Sequence, residues 1–271
     1  MDCVGIRVRG GLGNQMFQIA ACLAAAQDTG RKPLICRTKK GDSRPLYWHS
    51  ALRSVSHFLT DTFPDNLRIW SQPGNRVQTY APIPSTGSLL LRGYFQSPKY
   101  FASPSIIHTI RKLFAPSEEM LARVRTKYGA LLTKHNVVVV HSRQGDYCKH
   151  EHSIAFYNPM KPQDHIRVLR MLDIKDPYYL FVCEQPAYWA PVIAELGLSN
   201  DTYCVLDEPD EILTLSLLQQ FKTFVISNST FAWWAAWLAG DDARVYAPRV
   251  WHGPGGPKGW EDIYMPSWTL F

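Results

Sequence analysis

The chain has 271 residues, 46% apolar and 19% charged, a composition that fits a globular protein with a substantial core and excludes a disordered chain. The net charge is +6, but no long Lys/Arg block is present, which argues against a nucleic-acid partner and leaves an anionic small ligand or an ordinary basic surface. The six cysteines form no CxxC pair, the first residues lack a signal-peptide pattern, and no run of about 18 apolar residues occurs, so we expect a cytoplasmic protein without a membrane span.

The opening residues predict a strand, a glycine loop and a helix. Val4, Ile6 and Val8 alternate with other residues at the period of a strand, Gly10–Gly13 interrupts them, and apolar residues from Met16 onward recur at helical spacing. Glycines let the backbone approach a phosphate or a sugar, and a helix N-terminus attracts anions. The loop is not the dinucleotide fingerprint, because Met16 replaces its last glycine, so a purely structural turn is an equal alternative.

The rest of the first half is less regular. We predict loops and short helices from about residue 40 to 90. The segment Gly93–Phe101 either lines an acceptor groove or forms an aromatic turn in the core. Around these segments the pattern predicts strands at Leu34–Cys36 and Leu89–Leu91 and helices at Ile106–Phe114 and Glu118–Leu132.

The second half alternates more clearly between strands and helices. Val137–Val140 is a continuous β-branched run, which is typical of a parallel strand buried on both faces. Further strands are predicted at Tyr178–Val182, Tyr203–Val205, Phe224–Ile226 and Val245–Ala247, and helices at Asp164–Leu172, Trp189–Leu196, Glu211–Phe221 and Phe231–Leu238. This alternation predicts an α/β fold with parallel sheets. We place a boundary between an N-terminal half at 1–132, which carries the glycine loop, and a Rossmann-like half at 133–271, whose tail packs back on the first.

Two polar segments directly follow predicted buried strands, where parallel sheets bind their ligands. In His141–Tyr147, Arg143 suits bidentate recognition of a phosphate, although a pair with Asp146 that braces the turn is the alternative. Ser227–Thr230 opens a helix, so its hydroxyl groups either cap the helix or help its N-terminus to bind a phosphate.

Other chemistries find less support in the sequence. Cys148, His150 and His152 alternate, but the segment resembles a loop and lacks the standard zinc spacing. No acidic pair for a nucleotide-bound Mg²⁺ stands at a convincing strand end, so we expect no metal. The GxSxG motif of serine hydrolases is absent.

Together, these segments resemble the α1,2-fucosyltransferase family, glycosyltransferase family 11. Gly10–Gln18 resembles the family's N-terminal motif, and His141–Tyr147 its His-x-Arg-Arg-Gly-Asp-Tyr donor motif. Ser227–Trp234 resembles its Ser-Asn-Ser-Thr-Phe-Ser-Trp-Trp motif nearly letter for letter. Gly93–Phe101 and the closing stretch 247–268 also follow the family's pattern, so the resemblance covers essentially the whole chain in the right order.

This resemblance implies a GT-B-like fold of two facing Rossmann-like halves, GDP-β-L-fucose as the donor, inversion at the anomeric carbon and no metal or other cofactor. Arg143 would hold the β-phosphate and assist its departure, Asp146 would be the candidate general base, and Asn14 would position a substrate. The nucleotide sugar would be bound by Gly11, Gly13, His141, Glu184, Ser227, Ser229, Thr230 and Phe231.

Two positions depart from the family's pattern. Gln144 stands where the family usually has a second Arg, and Val182–Gln185 replaces its Phe-Ser-Asp-Asp. In the second case Glu184 would take over the contact with the guanine edge.

The acceptor would be a sugar hydroxyl, most simply that of a galactoside or a similar glycan in an α1,2 linkage. Three alternatives stay open: a different GDP-deoxyhexose donor such as GDP-rhamnose, a non-catalytic module that binds a nucleotide sugar or a glycan, and a Rossmann-type methyltransferase. The last would leave Arg143 and Ser229–Thr230 without a phosphate to bind. The sequence does not fix the oligomeric state.

Overall fold

The computed structural model describes residues 1–38, 44–73 and 78–271, and their strands form two separate parallel sheets. The sheets belong to two units. Unit 1 comprises Met1–Ala115 and Pro257–Met265, and unit 2 comprises Pro116–Gly256 and Pro266–Phe271. Within the described residues, no helix is long and apolar enough to cross a bilayer.

Unit 1 is built around a five-stranded sheet in the order β3-β2-β1-β5-β4. Its elements are β1 (Cys3–Ile6), α1 (Leu12–Gln27), β2 (Lys32–Cys36), β3 (Leu59–Thr60), β4 (Arg68–Ser71), β5 (Leu89–Arg92) and α2 (Pro104–Phe114). The chain leaves β1 toward β2 and later returns on the other side through β5, with Ile6 paired to both Ile35 and Leu91. The β1–β5 junction is therefore a topological switch point, where open α/β sheets bind ligands.

Helix α1 follows the glycine loop and packs on this sheet. Its small residues from Ala20 to Ala26 leave it apolar on nearly all sides, and a helix of that kind is buried. Phe17 and Ile19 are fully buried. The burial of α1 fixes the direction of the loop that precedes it.

Unit 2 is built around a six-stranded sheet in the order β11-β10-β9-β6-β7-β8. Its elements are α3 (Glu118–Leu132), β6 (Val137–His141), α4 (Glu151–Tyr157), α5 (Pro162–Arg170), β7 (Tyr178–Val182), α6 (Ala190–Glu195), β8 (Tyr203–Leu206), α7 (Glu211–Leu218), β9 (Thr223–Val225), α8 (Thr230–Leu238), β10 (Arg244–Ala247) and β11 (Thr269–Leu270). Every residue of β6 is buried, as its β-branched run predicts. The chain runs from β6 to β7 and β8, then crosses to β9 on the other side of β6, so β6 and β9 flank a second switch point.

The tryptophans of α8 are part of the core of unit 2. Trp233, Trp234 and Trp237 are nearly fully buried. Trp233 packs against Trp268 from the end of the chain, with ring centroids 5.4 Å apart. This packing holds the N-terminus of α8 at the carboxyl end of β9.

The units divide between 115 and 116, whereas the sequence-based boundary lies between 132 and 133. The difference is helix α3, which belongs to unit 2 because its residues bond to the segment before α7. Lys127 Nζ lies 2.7 Å from Glu208 Oε2, and the Tyr128 hydroxyl donates to the same oxygen at 2.6 Å. In the tail, Pro257–Met265 belongs to unit 1, and the last six residues belong to unit 2.

The predicted elements of both halves are present, but four short elements were missed. The loop predicted around His150 and His152 contains α4. Only Ser153 of this helix is buried, so the sequence shows no helical period of apolar residues there. β3 and β11 have two residues each, and β4 is mostly exposed, so none shows a strand pattern. The parts of the predicted loop region at 39–43 and 74–77 lie outside the described residues.

Candidate active site

The switch point of unit 2 brings together two of the segments singled out in the sequence. His141 ends β6, Ser227 follows β9, and the His141 Nδ1 atom lies 3.0 Å from the Ser227 hydroxyl oxygen. The His141 ring also lies 6.1 Å from the ring of Phe231, between centroids. The donor-motif segment and the Ser-rich segment therefore meet at the carboxyl ends of neighbouring parallel strands.

His141 is buried and neutral. Its side chain is 5% exposed, and burial, followed by the charges of Arg143 and His165, lowers the pKa of His141 to about 3. A neutral imidazole with a hydroxyl partner joins the two strand ends without adding a charge to the site. The predicted contact of His141 with the nucleotide stays a prediction.

Arg143 projects from the turn after β6, with its side chain 25% exposed. Its Nη2 donates to Asp146 Oδ1 at 2.6 Å, and its Nη1 donates to Glu184, which follows the neighbouring strand β7. The guanidinium carbon lies 5.4 Å from the centroid of the Tyr147 ring. The Arg143–Asp146 pair weighed as a structural alternative is thus present, together with a second carboxylate. These contacts fix the planar fork in one orientation, which is also what a phosphate-binding Arg requires.

Both carboxylate oxygens of Glu184 accept hydrogen bonds. One carboxylate oxygen accepts from Arg143, and the other accepts from the backbone N–H of Gln144 at 3.2 Å. The sequence analysis assigned Glu184 to the guanine edge, and that contact stays a prediction.

Gln144, where the family usually has a second Arg, is buried within its own turn. Its Nε2 donates to the Ser142 hydroxyl at 2.8 Å and to the Met160 carbonyl at 3.0 Å, and its Oε1 accepts from the Cys148 thiol at 2.9 Å. The side chain is 6% exposed. Gln144 therefore stabilises the turn that carries Arg143.

The N-terminus of α8 has unused hydrogen-bond donors. Ser229 is its N-cap residue, but the Ser229 side chain makes no capping hydrogen bond. The first N–H groups of any helix lack intrahelical acceptors and carry its positive dipole end. Capping was the alternative explanation for this hydroxyl group, and the structure shows no such cap bond; the predicted contact of Ser229 with a phosphate stays a prediction.

Asn228 holds the segment before α8 in place. Its Nδ2 donates to the carbonyl of Tyr157 and, at 3.0 Å, to the carbonyl of Trp251. The backbone at the end of β9 is therefore tied to the end of α4 and to the loop after β10. The sequence analysis did not single out this role, because both partners are backbone atoms distant in the chain.

In unit 1, two buried glutamines hold the glycine loop. Gln15 Nε2 donates to the carbonyls of Gly10 at 2.9 Å and Pro45 at 2.7 Å. Gln18 accepts from the N–H of Arg9 at 3.2 Å and donates to the carbonyl of Arg9 at 2.7 Å. Both glutamines are 1% exposed, so they shape the loop and do not face a ligand.

Asn14 is oriented by a chain of side-chain amides. Gln96 Nε2 donates to Asn14 Oδ1 at 2.7 Å, and Gln78 Nε2 donates to Gln96 Oε1 at 3.0 Å. The oxygen of Asn14 is thereby engaged, and its Nδ2 is the group available to a substrate. Such a group can donate a hydrogen bond but cannot accept a proton, in agreement with a positioning role.

The Gly93–Phe101 segment has features of both predicted structures, the groove lining and the aromatic turn in the core. Phe95 and Phe101 are buried in the core, as an aromatic turn would be. Gln96 supports Asn14, and Tyr94 lies under the Arg9 guanidinium, whose carbon is 4.5 Å from the ring centroid. Arg9 and Gln96 were missed, because neither belongs to a recognisable chemical pattern in the sequence.

The alternating Cys148, His150 and His152 do not converge on one point. The two histidine rings stack with centroids 5.3 Å apart, and the Cys148 thiol bonds to Gln144. Among the residues that the structure describes, no group of three His, Cys, Asp or Glu is placed to hold a metal ion. The absence of a metal requirement stays a prediction.

Comparison with known proteins gives matches along the chain. The Glycosyl transferase family 11 model matches residues 192–271. The O-antigen biosynthesis glycosyltransferase WbnK of Escherichia coli is 23% identical, over 96% of this chain and 97% of that protein. An alpha-1,2-colitosyltransferase of Escherichia coli is 24% identical, over 93% of each chain. A galactoside 2-alpha-L-fucosyltransferase of Caenorhabditis elegans is 27% identical, over 96% of this chain and 74% of that protein.

Solved structures share the fold at lower identity. The fucosyltransferase NodZ from Bradyrhizobium superposes with a TM-score of 0.55 at 16% identity, covering 88% of this chain and 93% of that one. A mutant of Arabidopsis thaliana FUT1 in complex with GDP superposes with a TM-score of 0.54 at 15% identity, covering 91% of this chain and 70% of that one. These likenesses confirm the predicted fold class, α/β of the GT-B-like kind with two parallel sheets.

The fold and the polar residues at its strand ends define a glycosyltransferase of the GT-B-like class. The relatives, which match over 93–96% of this chain, are named as glycosyltransferases, and the family match covers the end of the chain that carries α8. The match to the Glycosyl transferase family 11 model and the relatives named as fucosyl- and colitosyltransferases support the resemblance to this family and the expectation of an enzyme of the fucosyltransferase kind.

Proposed function

We propose that this protein transfers L-fucose from GDP-β-L-fucose to a hydroxyl of a galactoside or a similar glycan, forming an α1,2 linkage with inversion and without a metal. The observation that carries the proposal is the contact of His141 with Ser227, which joins the segment that carries Arg143 to the segment that leads into the uncapped N-terminus of α8. A relative named galactoside 2-alpha-L-fucosyltransferase supports the linkage, and the co-crystal of GDP with NodZ, an alpha-1,6-fucosyltransferase, supports the donor.

The proposed chemistry follows from charge. As the bond between fucose and GDP breaks, the sugar becomes oxocarbenium-like and the diphosphate gains negative charge. Arg143 supplies a fixed positive charge, and the first turn of α8 supplies N–H groups, helped by the hydroxyls of Ser229 and Thr230. These groups replace the metal ion that other nucleotide-sugar enzymes use for the same charge.

The acceptor hydroxyl needs a base and a fixed position. Asp146 is the candidate base, and because its Oδ1 accepts from Arg143 it would also orient the guanidinium. In unit 1, Asn14 would donate a hydrogen bond to a substrate oxygen, and Gly11 and Gly13 would let the substrate approach the backbone.

The match to an alpha-1,2-colitosyltransferase favours a second candidate, the transfer of a different GDP-linked deoxyhexose by the same groups. Neither Arg143 nor the end of α8 contacts the sugar's substituents in this scheme, so both donors fit the diphosphate site equally well.

Incubation of the purified protein with GDP-fucose and a panel of galactosides, with a chelator present, tests the function. We expect GDP release that depends on the acceptor and an α1,2-linked product in the NMR spectrum. GDP-rhamnose and other GDP-deoxyhexoses serve as competing donors. A folded protein that binds GDP but transfers no sugar would instead indicate a binding module, and loss of activity with the chelator would contradict the metal-free mechanism.

The glycine loop offers a matched pair of substitutions. Gly11 has an ordinary φ of −69°, and a Cβ there would meet nothing within 4 Å. We expect Gly11→Ala to leave the melting temperature unchanged but to lower kcat/KM about tenfold, because the methyl group would fill space that the substrate needs. Kinetics and thermal unfolding measure both effects.

Gly10→Ala is the structural control for this pair. Gly10 has φ +81°, and a Cβ there would lie 2.7 Å from Asn14 Nδ2, so this variant is expected to lose about 1–2 kcal/mol of stability. A fully active Gly11→Ala protein would show that the loop is only a structural turn.

A further inference from the structure

Arg143 pairs with two carboxylates at once. Its guanidinium donates to Asp146 from the same turn and to Glu184 from the end of β7, so one cation meets two carboxylates. The side chains of Asp146 and Glu184 are 44% and 38% exposed, which leaves both carboxylates in contact with water. A diphosphate that binds Arg143 would be a third anionic group on the same cation, so one carboxylate has to give way.

Of the two carboxylates, that of Glu184 is the more easily displaced from Arg143. Asp146 lies three residues from Arg143 in the same turn, so its position follows that of the guanidinium. Glu184 reaches across from the neighbouring strand end, and its second oxygen already accepts from the backbone N–H of Gln144. When Glu184 releases Arg143, it can keep that backbone contact and expose its freed oxygen to water.

We propose that Glu184 is a positioning residue that holds Arg143 in the absence of the donor and is displaced from it by the donor diphosphate. This inference rests on the proposed function. Donor and product binding then both include the cost of separating Glu184 from Arg143. After transfer, Glu184 competes with the GDP product for Arg143 and speeds its release.

The guanine contact expected for Glu184 makes the opposite prediction. If the carboxylate binds the base, its removal weakens the binding of GDP and of guanosine and leaves the binding of pyrophosphate alone. If the carboxylate competes with the diphosphate, its removal strengthens the binding of GDP and of pyrophosphate and does not change the binding of guanosine. Three ligands therefore separate the two roles.

The experiment is calorimetric titration of wild-type protein and Glu184→Gln with GDP, inorganic pyrophosphate and guanosine. We expect Glu184→Gln to bind GDP and pyrophosphate about threefold to fivefold more tightly, the range for loss of an exposed ion pair. The inhibition constant of GDP as a product should fall by the same factor. Both gains should shrink at high salt, because the competition is electrostatic.

Glu195→Gln is the control, since Glu195 pairs with Arg170 at 2.8 Å in a more exposed ion pair that lies away from the strand ends. It should leave all three affinities unchanged, and unfolding without ligand checks that both variants fold. Weaker or unchanged pyrophosphate binding by Glu184→Gln overturns the inference. A wild-type protein that binds pyrophosphate but transfers no sugar refutes the proposed function, while the pyrophosphate comparison still decides the role of Glu184. A wild-type protein that binds neither GDP nor pyrophosphate refutes both.

Discussion

Replacing Arg143 by Ala is expected to lower kcat/KM for sugar transfer by about a thousandfold, the effect of removing a main stabiliser of transition-state charge. The guanidinium is held by Asp146 and Glu184 in the turn after β6, and its planar fork matches a phosphate. Because its ion pairs with Asp146 and Glu184 are partly exposed, we expect the free energy of unfolding to change by less than about 1 kcal/mol. Steady-state kinetics and urea unfolding of the same preparation measure the two quantities.

Two further variants make this test specific. Arg167→Ala removes another Arg that pairs with an Asp three residues away, at 3.4 Å from Asp164, and should leave kcat/KM unchanged. Arg143→Lys keeps the charge but loses the fork, so it should recover only part of the activity. Wild-type turnover in Arg143→Ala would remove Arg143 from the mechanism.

Mild acid is expected to destabilise the protein well before its carboxylates titrate. Burial is the main cause that lowers the pKa of His141 to about 3 and those of His165 and His252 to about 4. In the unfolded chain a His has a pKa of about 6.5. Below that pH the unfolded state therefore binds protons that the folded state does not bind. Stability is therefore fully present above pH 6.5 and falls as the pH decreases, by about 2 kcal/mol for each of the three residues at pH 5.

Denaturant unfolding at pH 7, 6 and 5 measures this trend. The pKa values of Asp210 and Asp262 are lowered, so their loss of stability begins only below about pH 4 and does not overlap with that of histidine. His165→Gln should reduce the decrease by about a third, whereas substitution of the exposed His152 should not change it. Equal stability at pH 7 and pH 5 would show that these histidines are not buried in the neutral form.

Much of unit 2 could be predicted because its signals are local. The β-branched run of β6 and the hydroxyl-rich start of α8 are each contained in a few consecutive residues, and the carboxyl ends of parallel strands lie on one edge by geometry. The helix α4 escaped prediction, because a helix with almost no buried residue has no apolar period. The units divide one helix earlier than the sequence-based boundary. Helix α3 belongs to unit 2 because it bonds to the buried carboxylate of Glu208, and a contact across about 80 residues leaves no local pattern in the sequence.

The partners of the site residues were harder to predict than the residues themselves. Arg143 and Asp146 are close in sequence, so their pair was foreseen, whereas Glu184 meets them only because β7 lies beside β6. Likewise, the motif identified Asn14, but the amide that orients it comes from Gln96, at the end of β5. Side chains that act through a neighbour leave no spacing pattern.

The central claim is that the leaving diphosphate binds between Arg143 and the N-terminus of α8. A crystal structure of the protein with GDP tests it most directly. The account predicts phosphate oxygens about 3 Å from the Arg143 guanidinium and from the first N–H groups of α8, with Glu184 turned away. A diphosphate bound elsewhere, with Arg143 still held by both carboxylates, would contradict the account.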